Sequence, residues 1–245
     1  MRIVFFSRLF WRGSWATPLL VALLGAALLS GGCGRLFGAS PRPAAPEKPV
    51  AVAPPTTVVT SKDWKSDPQA EAALERGDYQ AAIQSLSVYL QSHPDNGLAF
   101  YHLGYAFGRS GDQESEIRNY ERAVELGYAE NNIFYNLGMA YGERKQFDKA
   151  ELMFKRSLAV DRGDAEPHFG LGLLYNSRGD DARAEQELLH AIALDPDHLD
   201  ARVTLAMIYA KSGRRDQALE QLRLVQSKDP NHPLARKLQQ RLGTP

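Results

Sequence analysis

Cysteine is nearly missing from this sequence, which holds one, Cys33, in 245 residues. A lone thiol excludes an internal disulfide framework and any multi-cysteine metal site. Neither sign of charge is in excess, since 29 lysines and arginines face 29 aspartates and glutamates. Three of the basic residues, Arg2, Arg8 and Arg12, fall in the first 32 positions, where there is no acid, leaving 26 basic against 29 acidic residues in the remainder. That remainder offers no overall basic surface for nucleic acid. Long apolar runs are lacking as well: the strongest, PLLVALLGAALL from Pro18 to Leu29, has 12 residues, where a membrane-spanning helix needs about 20.

Catalytic and ligand-binding patterns are equally sparse. His93, His102, His168, His190, His198 and His232 form no i, i+4 pair and no His-Glu-x-x-His motif, so no metal site is expected. GGCG around Cys33 lacks the Gly-Lys-Ser/Thr of a phosphate loop. Asp195, Asp197 and Asp200 lack the glycine and terminal glutamate of a calcium loop. RGD at Arg162 to Asp164 reads as a turn at a helix boundary. No nucleophile, base and orienting group can be assembled. The expectation is a protein that is not an enzyme, with no cofactor and no small-molecule substrate.

What is present begins with an address. Basic residues, the 12-residue apolar core and the small residues Ser30, Gly31 and Gly32 are the three regions of an export signal. An uncleaved anchor is the competing reading, because no charge falls between Arg12 and Arg35. In both, everything after residue 35 lies outside the cytoplasm. From Ala39 to Thr60 come six prolines among alanines, valines and threonines. Such a tract buries too little apolar surface to fold and reads as an extended spacer.

Beyond residue 63 the chain repeats. FYHLGYAF, FYNLGMAY, HFGLGLLY and RVTLAMIY start at Phe100, Phe134, His168 and Arg202, at equal intervals. Leu103, Leu137, Leu171 and Leu205 share a column, followed by Gly104, Gly138, Gly172 and Ala206, and then by Phe107, Tyr141, Tyr175 and Tyr209. Gly77, Gly111, Gly179 and Gly213 mark a turn, with Lys145 as the exception; Ala82, Ala150, Ala184 and Ala218 follow, with Glu116 breaking the column. Four places on stand Leu86, Tyr120, Phe154, Leu188 and Leu222. The spacing predicts helical hairpins in which a small residue on the first helix admits a large one from the second. Asp195-Pro196 and Asp229-Pro230 stop the second helix. One hairpin cannot bury its apolar face alone, so the units must stack.

These columns and their period resemble the tetratricopeptide repeat pattern W-x2-L-G-x2-Y, then A-x3-F, then P. The resemblance implies an all-α fold, an α-solenoid of five units at 63–96, 97–130, 131–164, 165–198 and 199–232. A signal peptide at 1–32, a lipidation site and proline-rich linker at 33–62 and a capping helix with tail at 233–245 complete the plan. Phe100, Phe134, His168 and Arg202 stand where the pattern has tryptophan. The first unit lacks the leucine and the aromatic, and its first helix is expected to be short, starting near Pro68. In the cap, Leu234, Leu238 and Leu242 share one face.

The resemblance also implies a binding groove lined by the first helices. Its positions here are Tyr101, Tyr135, Phe169 and Val203; then Tyr105, Met139, Leu173 and Met207; then Arg109, Glu143, Ser177 and Lys211. The middle column is apolar and methionine-bearing, which suits an apolar or amphipathic peptide segment of a protein partner. Tyr101, Tyr105, Tyr135 and Met139 replace the Lys and Asn types of a carboxylate clamp, so none is expected. Ser30-Gly31-Gly32-Cys33 resembles the box in which bacterial lipoproteins are cut and lipidated on cysteine, and small residues at Ser30 and Gly32 equally suit ordinary cleavage. Gly34 stands where an inner-membrane retention signal has Asp, which favours the outer membrane. Tetratricopeptide lipoproteins of this plan include pilotins of pilus secretins and adaptors for cell-wall enzymes. The resulting expectation is a non-catalytic scaffold on the periplasmic face of the cell envelope, held to the membrane by its N-terminal lipid. The alternative is a self-associating structural protein on an uncleaved N-terminal helix.

Overall fold

The computed structural model describes residues 64–243. The expected signal segment 1–32 and the linker 33–62 with Cys33 lie outside them. The described residues form eleven helices, namely α1 Pro68–Glu75, α2 Tyr79–Ser92, α3 Gly97–Ser110, α4 Gln113–Glu125, α5 Asn131–Glu143, α6 Phe147–Val160, α7 Ala165–Ser177, α8 Asp181–Leu194, α9 Leu199–Lys211, α10 Arg215–Lys228 and α11 Pro233–Gly243. The architecture is all-α, as the repeat required. No described helix is long and apolar enough to cross a membrane.

Local sequence sets where these helices begin and turn. Asp67, Asp78, Asn96, Asp112, Asp164 and Asp180 each accept a backbone N–H in the first turn of the helix they precede, satisfying a donor with no intrahelical partner. Arg162 to Asp164 is thus the approach to a helix cap. Gly77, Gly111, Gly179 and Gly213 sit in the left-handed region with φ of +74°, +92°, +78° and +77°. Lys145 holds the same position between α5 and α6 with φ +59°. A residue with a Cβ is disfavoured there by about 1 kcal/mol. Lys145→Gly is therefore expected to raise the melting temperature by roughly 2–4 °C; an unchanged or lower value in thermal denaturation would contradict it.

The small-residue column works by close approach. A Cβ added at Gly104 would lie 2.7 Å from Tyr120, at Gly138 2.5 Å from Phe154 and at Gly172 2.7 Å from Leu188. Tyr120, Phe154, Leu188 and Leu222 are at most 2% exposed. Each second helix also packs against the first helix of the following unit, and first helices touch across units, α5 with α7 and α7 with α9. The first helices therefore neighbour one another along the stack from the third unit to the fifth.

The two ends differ from the middle. α1 is short and starts at Pro68, as expected. The missing aromatic of the first unit is supplied from outside the helix: Trp64 stacks on Tyr128 of the second unit with ring centroids 5.7 Å apart, over Gly97, where a Cβ would collide with the indole. Tyr89 Oη and Asn96 Nδ2 donate to the Lys65 carbonyl at 2.9 and 2.7 Å, and Ser66 Oγ is hydrogen-bonded to His102 Nδ1 at 2.7 Å. Residues 64–67 are thus a strap across the first two units. In α11, Leu238 and Leu242 pack on the core, but Leu234 is 47% exposed and Ala235 is the buried anchor. Ala235, Leu238 and Leu242, spaced i, i+3 and i+7, share the packed face, and Leu234 falls at its edge.

Candidate functional site

The first helices α3, α5, α7 and α9 carry the expected binding positions, and burial sorts them into three kinds. The first column is structural in its C-terminal half. Phe169 and Val203 are buried at 8% and 3% exposure, and Phe169 packs on His198 at 4.6 Å between ring centroids. Helices α7 and α9 are apolar on most of their circumference, so these two side chains are covered by neighbouring helices and are not presented to solvent. Tyr101 and Tyr135 are half-buried. Tyr101 stacks on Tyr128 at 5.1 Å and accepts a hydrogen bond from Asn136 Nδ2 at 3.3 Å, while Tyr135 lies 6.0 Å from the Phe154 ring. Burial pushes both phenols upward, so they are neutral packing groups with a polar tip.

The middle column is apolar and only partly covered, between the buried part of the first column and the third, where Glu143, Ser177 and Lys211 are exposed. Tyr105, Met139 and Leu173 are half-buried and Met207 is 48% exposed. They recur once per unit at the same place on α3, α5, α7 and α9, giving a stripe of aromatic, thioether and aliphatic side chains along the first helices.

The third column is tied to the preceding unit through a fixed offset along the chain that sequence reading missed. The Arg109 guanidinium lies over the Tyr79 ring at 4.9 Å. Gln113 Nε2 donates to Glu143 Oε2 at 2.6 Å, and Lys211 Nζ donates to Asp181 Oδ1 at 3.0 Å. Tyr79, Gln113 and Asp181 open the second helices α2, α4 and α8. Each reaches over the turn to the last turn of the next first helix. The first residue after the turn thus belongs to the candidate site, and the recurring separation was a signal available in the sequence. Tyr79 also meets Tyr105 edge-on at 6.2 Å, and Arg109 Nη1 donates to Tyr105 Oη at 3.1 Å. The N-terminal end of the stripe is therefore an aromatic patch with a cation beside it. Ser177 is exposed at the corresponding place in the fourth unit.

The titratable groups around this surface are set by burial. His102 is pushed down to about 4 by desolvation, with Glu130 opposing, and Glu116 is pushed up to about 8 by desolvation and by Glu143. Each neutral form is what a buried polar group adopts when water is removed. Glu166 is raised by burial, which the nearby His198 opposes, with 3.9 Å between His198 Nε2 and Glu166 Oε1. These groups lie within the packing of the units, and none forms an arrangement of nucleophile, base and orienting group among the described residues.

Comparisons with known proteins agree with this geometry. A family model described as tetratricopeptide repeat matches residues 68–130 and 135–198, and a second of the same description matches 187–242. No curated protein matches the chain. Among solved structures, MamA from Desulfovibrio magneticus RS-1 is 19% identical with a TM-score of 0.60, over 67% of this chain and 93% of that one. YrrB, described as a tetratricopeptide repeat protein with an unusual peptide-binding site, is 22% identical with a TM-score of 0.57, over 70% and 88%. PilF of Pseudomonas aeruginosa is 17% identical with a TM-score of 0.64, over 71% and 79%. At such identities the likeness is one of fold. Family-model matches over most of residues 68–242, and the recurring columns that carry them, show that the chain belongs to the tetratricopeptide repeat family.

Proposed function

We propose that this protein is an exported, lipid-anchored scaffold of the bacterial cell envelope that holds an apolar or amphipathic segment of a protein partner and so assists assembly of an envelope complex. Tetratricopeptide repeat proteins mediate protein–protein interaction and are generally non-catalytic. The observation that carries the reading is the stripe of Tyr105, Met139, Leu173 and Met207, exposed enough to be touched and apolar over four consecutive units. Methionines adapt their shape to varied apolar partners, and an amphipathic helix laid along the stripe would bury a continuous face. YrrB, a protein of the same fold, is described as having a peptide-binding site. Export and anchoring rest on the basic start, the 12-residue apolar core and Ser30-Gly31-Gly32-Cys33.

One experiment addresses both parts. The full chain is expressed in a bacterial host, the envelope is fractionated, and bound proteins are captured after crosslinking. Tyr105→Asp and Met139→Asp are each expected to reduce recovery of a specific partner at least about tenfold, the effect of losing roughly 1.4 kcal/mol, while helical content is unchanged. Cys33→Ala is expected to move the chain from the membrane to the soluble fraction with its partner still bound. Recovery undiminished by both stripe variants would sink the binding assignment, and membrane association that survives Cys33→Ala would sink the anchor.

A further inference from the structure

We propose that the fourth unit carries a site for a divalent transition-metal ion, formed by His168 of α7 with Glu187 and His190 of α8. His168 Nδ1 lies 2.7 Å from Glu187 Oε2, and His190 Nδ1 lies 4.0 Å from the same oxygen. One ligand atom from each of the three falls within 4.8 Å of the other two, and the imidazole rings meet edge-on at 5.3 Å between centroids. Ligands of a tetrahedral ion with bonds of about 2.0–2.1 Å stand about 3.3 Å apart, a spacing these distances bracket. The side chains of His168 and Glu187 are 18% and 22% exposed and held between helices. His190, at 54%, has room to rotate inward and close the set.

The register of the repeat shows what is particular about this place. The corresponding trio in the second unit is Phe100, Asn119 and Arg122, with the guanidinium 6.0 Å from the ring centroid. In the third it is Phe134, Met153 and Arg156, with the same stacking at 5.6 Å. In the fifth it is Arg202, Gln221 and Leu224, where Arg202 Nη1 donates to Gln221 Oε1 at 3.0 Å. Each of those closes the hairpin with an aromatic, an amide or a fixed cation. Among these units the fourth alone places two imidazoles and a carboxylate there, with the arginine of the two preceding units replaced by His190. A mixed nitrogen and oxygen set suits Zn2+, Co2+ or Ni2+ and not Mg2+ or Ca2+, which take oxygen ligands. Three protein ligands leave the fourth position to water or to a side chain of a partner.

Scanning the sequence for i, i+4 histidine pairs could not find this group. Its members on α7 and α8 are far apart in the chain and converge because the hairpin folds α8 back on α7.

The test uses the purified full chain, stripped of metal by a chelator and titrated with Zn2+ against a chromophoric competitor. His168→Phe and His190→Arg install residues that neighbouring units carry at these positions, so the hairpin has precedent for both. The expected result is one equivalent of Zn2+ bound by the wild type, at least tenfold weaker in either variant, with a melting temperature raised by Zn2+ in the wild type alone. Co2+ is expected to give the intense visible absorption of a four-coordinate ion in the wild type and to lose it in both variants; this readout needs no comparison of stabilities. His93→Ala, in the first unit, leaves binding unchanged. Equal Zn2+ affinity in wild type and both variants, or a six-coordinate Co2+ spectrum in the wild type, would overturn the proposal.

Discussion

Phe154→Ala is expected to destabilise the repeat region by about 3–5 kcal/mol. The ring fills two contacts at once. A Cβ at Gly138 of its own unit would lie 2.5 Å from it, and so would one at Gly170 of the next unit. The residue is 2% exposed and has Tyr135 beside it. In a stack whose stability is close to a sum of unit terms and nearest-neighbour interfaces, removing one ring weakens both an intra-unit and an inter-unit term. Denaturant unfolding monitored by circular dichroism should show a lower midpoint, with the transition broadened as the first three units decouple from the last two. Gly138→Ala and Gly170→Ala should each cost about 1–3 kcal/mol in the wild type, by forcing the ring aside, and much less in the Phe154→Ala background, where the added methyl enters vacated space. A double-mutant cycle reads that difference. Additive costs in the cycle would show that the ring is not the shared partner of the two glycines.

Those two glycines also mark how far the sequence could be read. Gly138 belongs to a column that recurs in every unit from the second to the fourth, so its role as the point of close approach was visible beforehand. Gly170 belongs to no such column: its counterparts are His102, Asn136 and Thr204. Its use follows from where the ring of the previous unit lands, which is an inter-unit distance and leaves no mark in one unit's pattern. The turn column behaved like Gly138. Four glycines and Lys145 all take positive φ, because the hairpin geometry demands it whatever residue is present.

The faces of the first helices were legible to the same degree and no further. Column spacing identified which side chains share a face of the first helices, and the middle column is partly accessible, with Tyr105, Met139 and Leu173 half-buried and Met207 exposed. It could not separate Tyr101 and Tyr135 from Phe169 and Val203, since burial of the latter depends on how completely α7 and α9 are surrounded. Trp64 was invisible for a related reason. Its partner Tyr128 belongs to a different unit and its own segment is not helical, so no periodicity connects them. The His168, Glu187 and His190 trio required both the hairpin and its register. Repetition encodes the faces of helices, while contacts peculiar to one unit are set by three-dimensional neighbours.

Glu116, the residue that breaks the alanine column, leads to the second large expectation: the stability of the wild type relative to Glu116→Gln should fall as pH rises from about 5 to about 8. Ala82, Ala150, Ala184 and Ala218 are fully buried at this position, and Glu116 is 8% exposed. Its carboxyl occupies the space that a Cβ on Gly108 would need, so the side chain folds over the turn onto α3. Desolvation, and after it the Glu143 charge, push its pKa up to about 8. In the unfolded chain the group titrates near the ordinary carboxylate value of about 4.3. Between those values the folded state binds the extra proton, so stability is full below the unfolded pKa and is lost as pH rises through the folded one, to a ceiling of a few kcal/mol. His102, pushed down to about 4, acts oppositely, costing stability as pH falls below about 6.5. It is untouched by the substitution, so the difference between wild type and Glu116→Gln isolates the carboxyl. Urea unfolding at pH 5, 6.5 and 8 reads it, and parallel pH profiles for the two proteins would refute the burial argument. Glu143, the other member of the pair, accepts a hydrogen bond from the Gln113 amide at the end of α5. Ionising Glu116 therefore places a negative charge near the carboxylate that accepts the Gln113 amide, which links proton uptake in the core to that inter-unit contact.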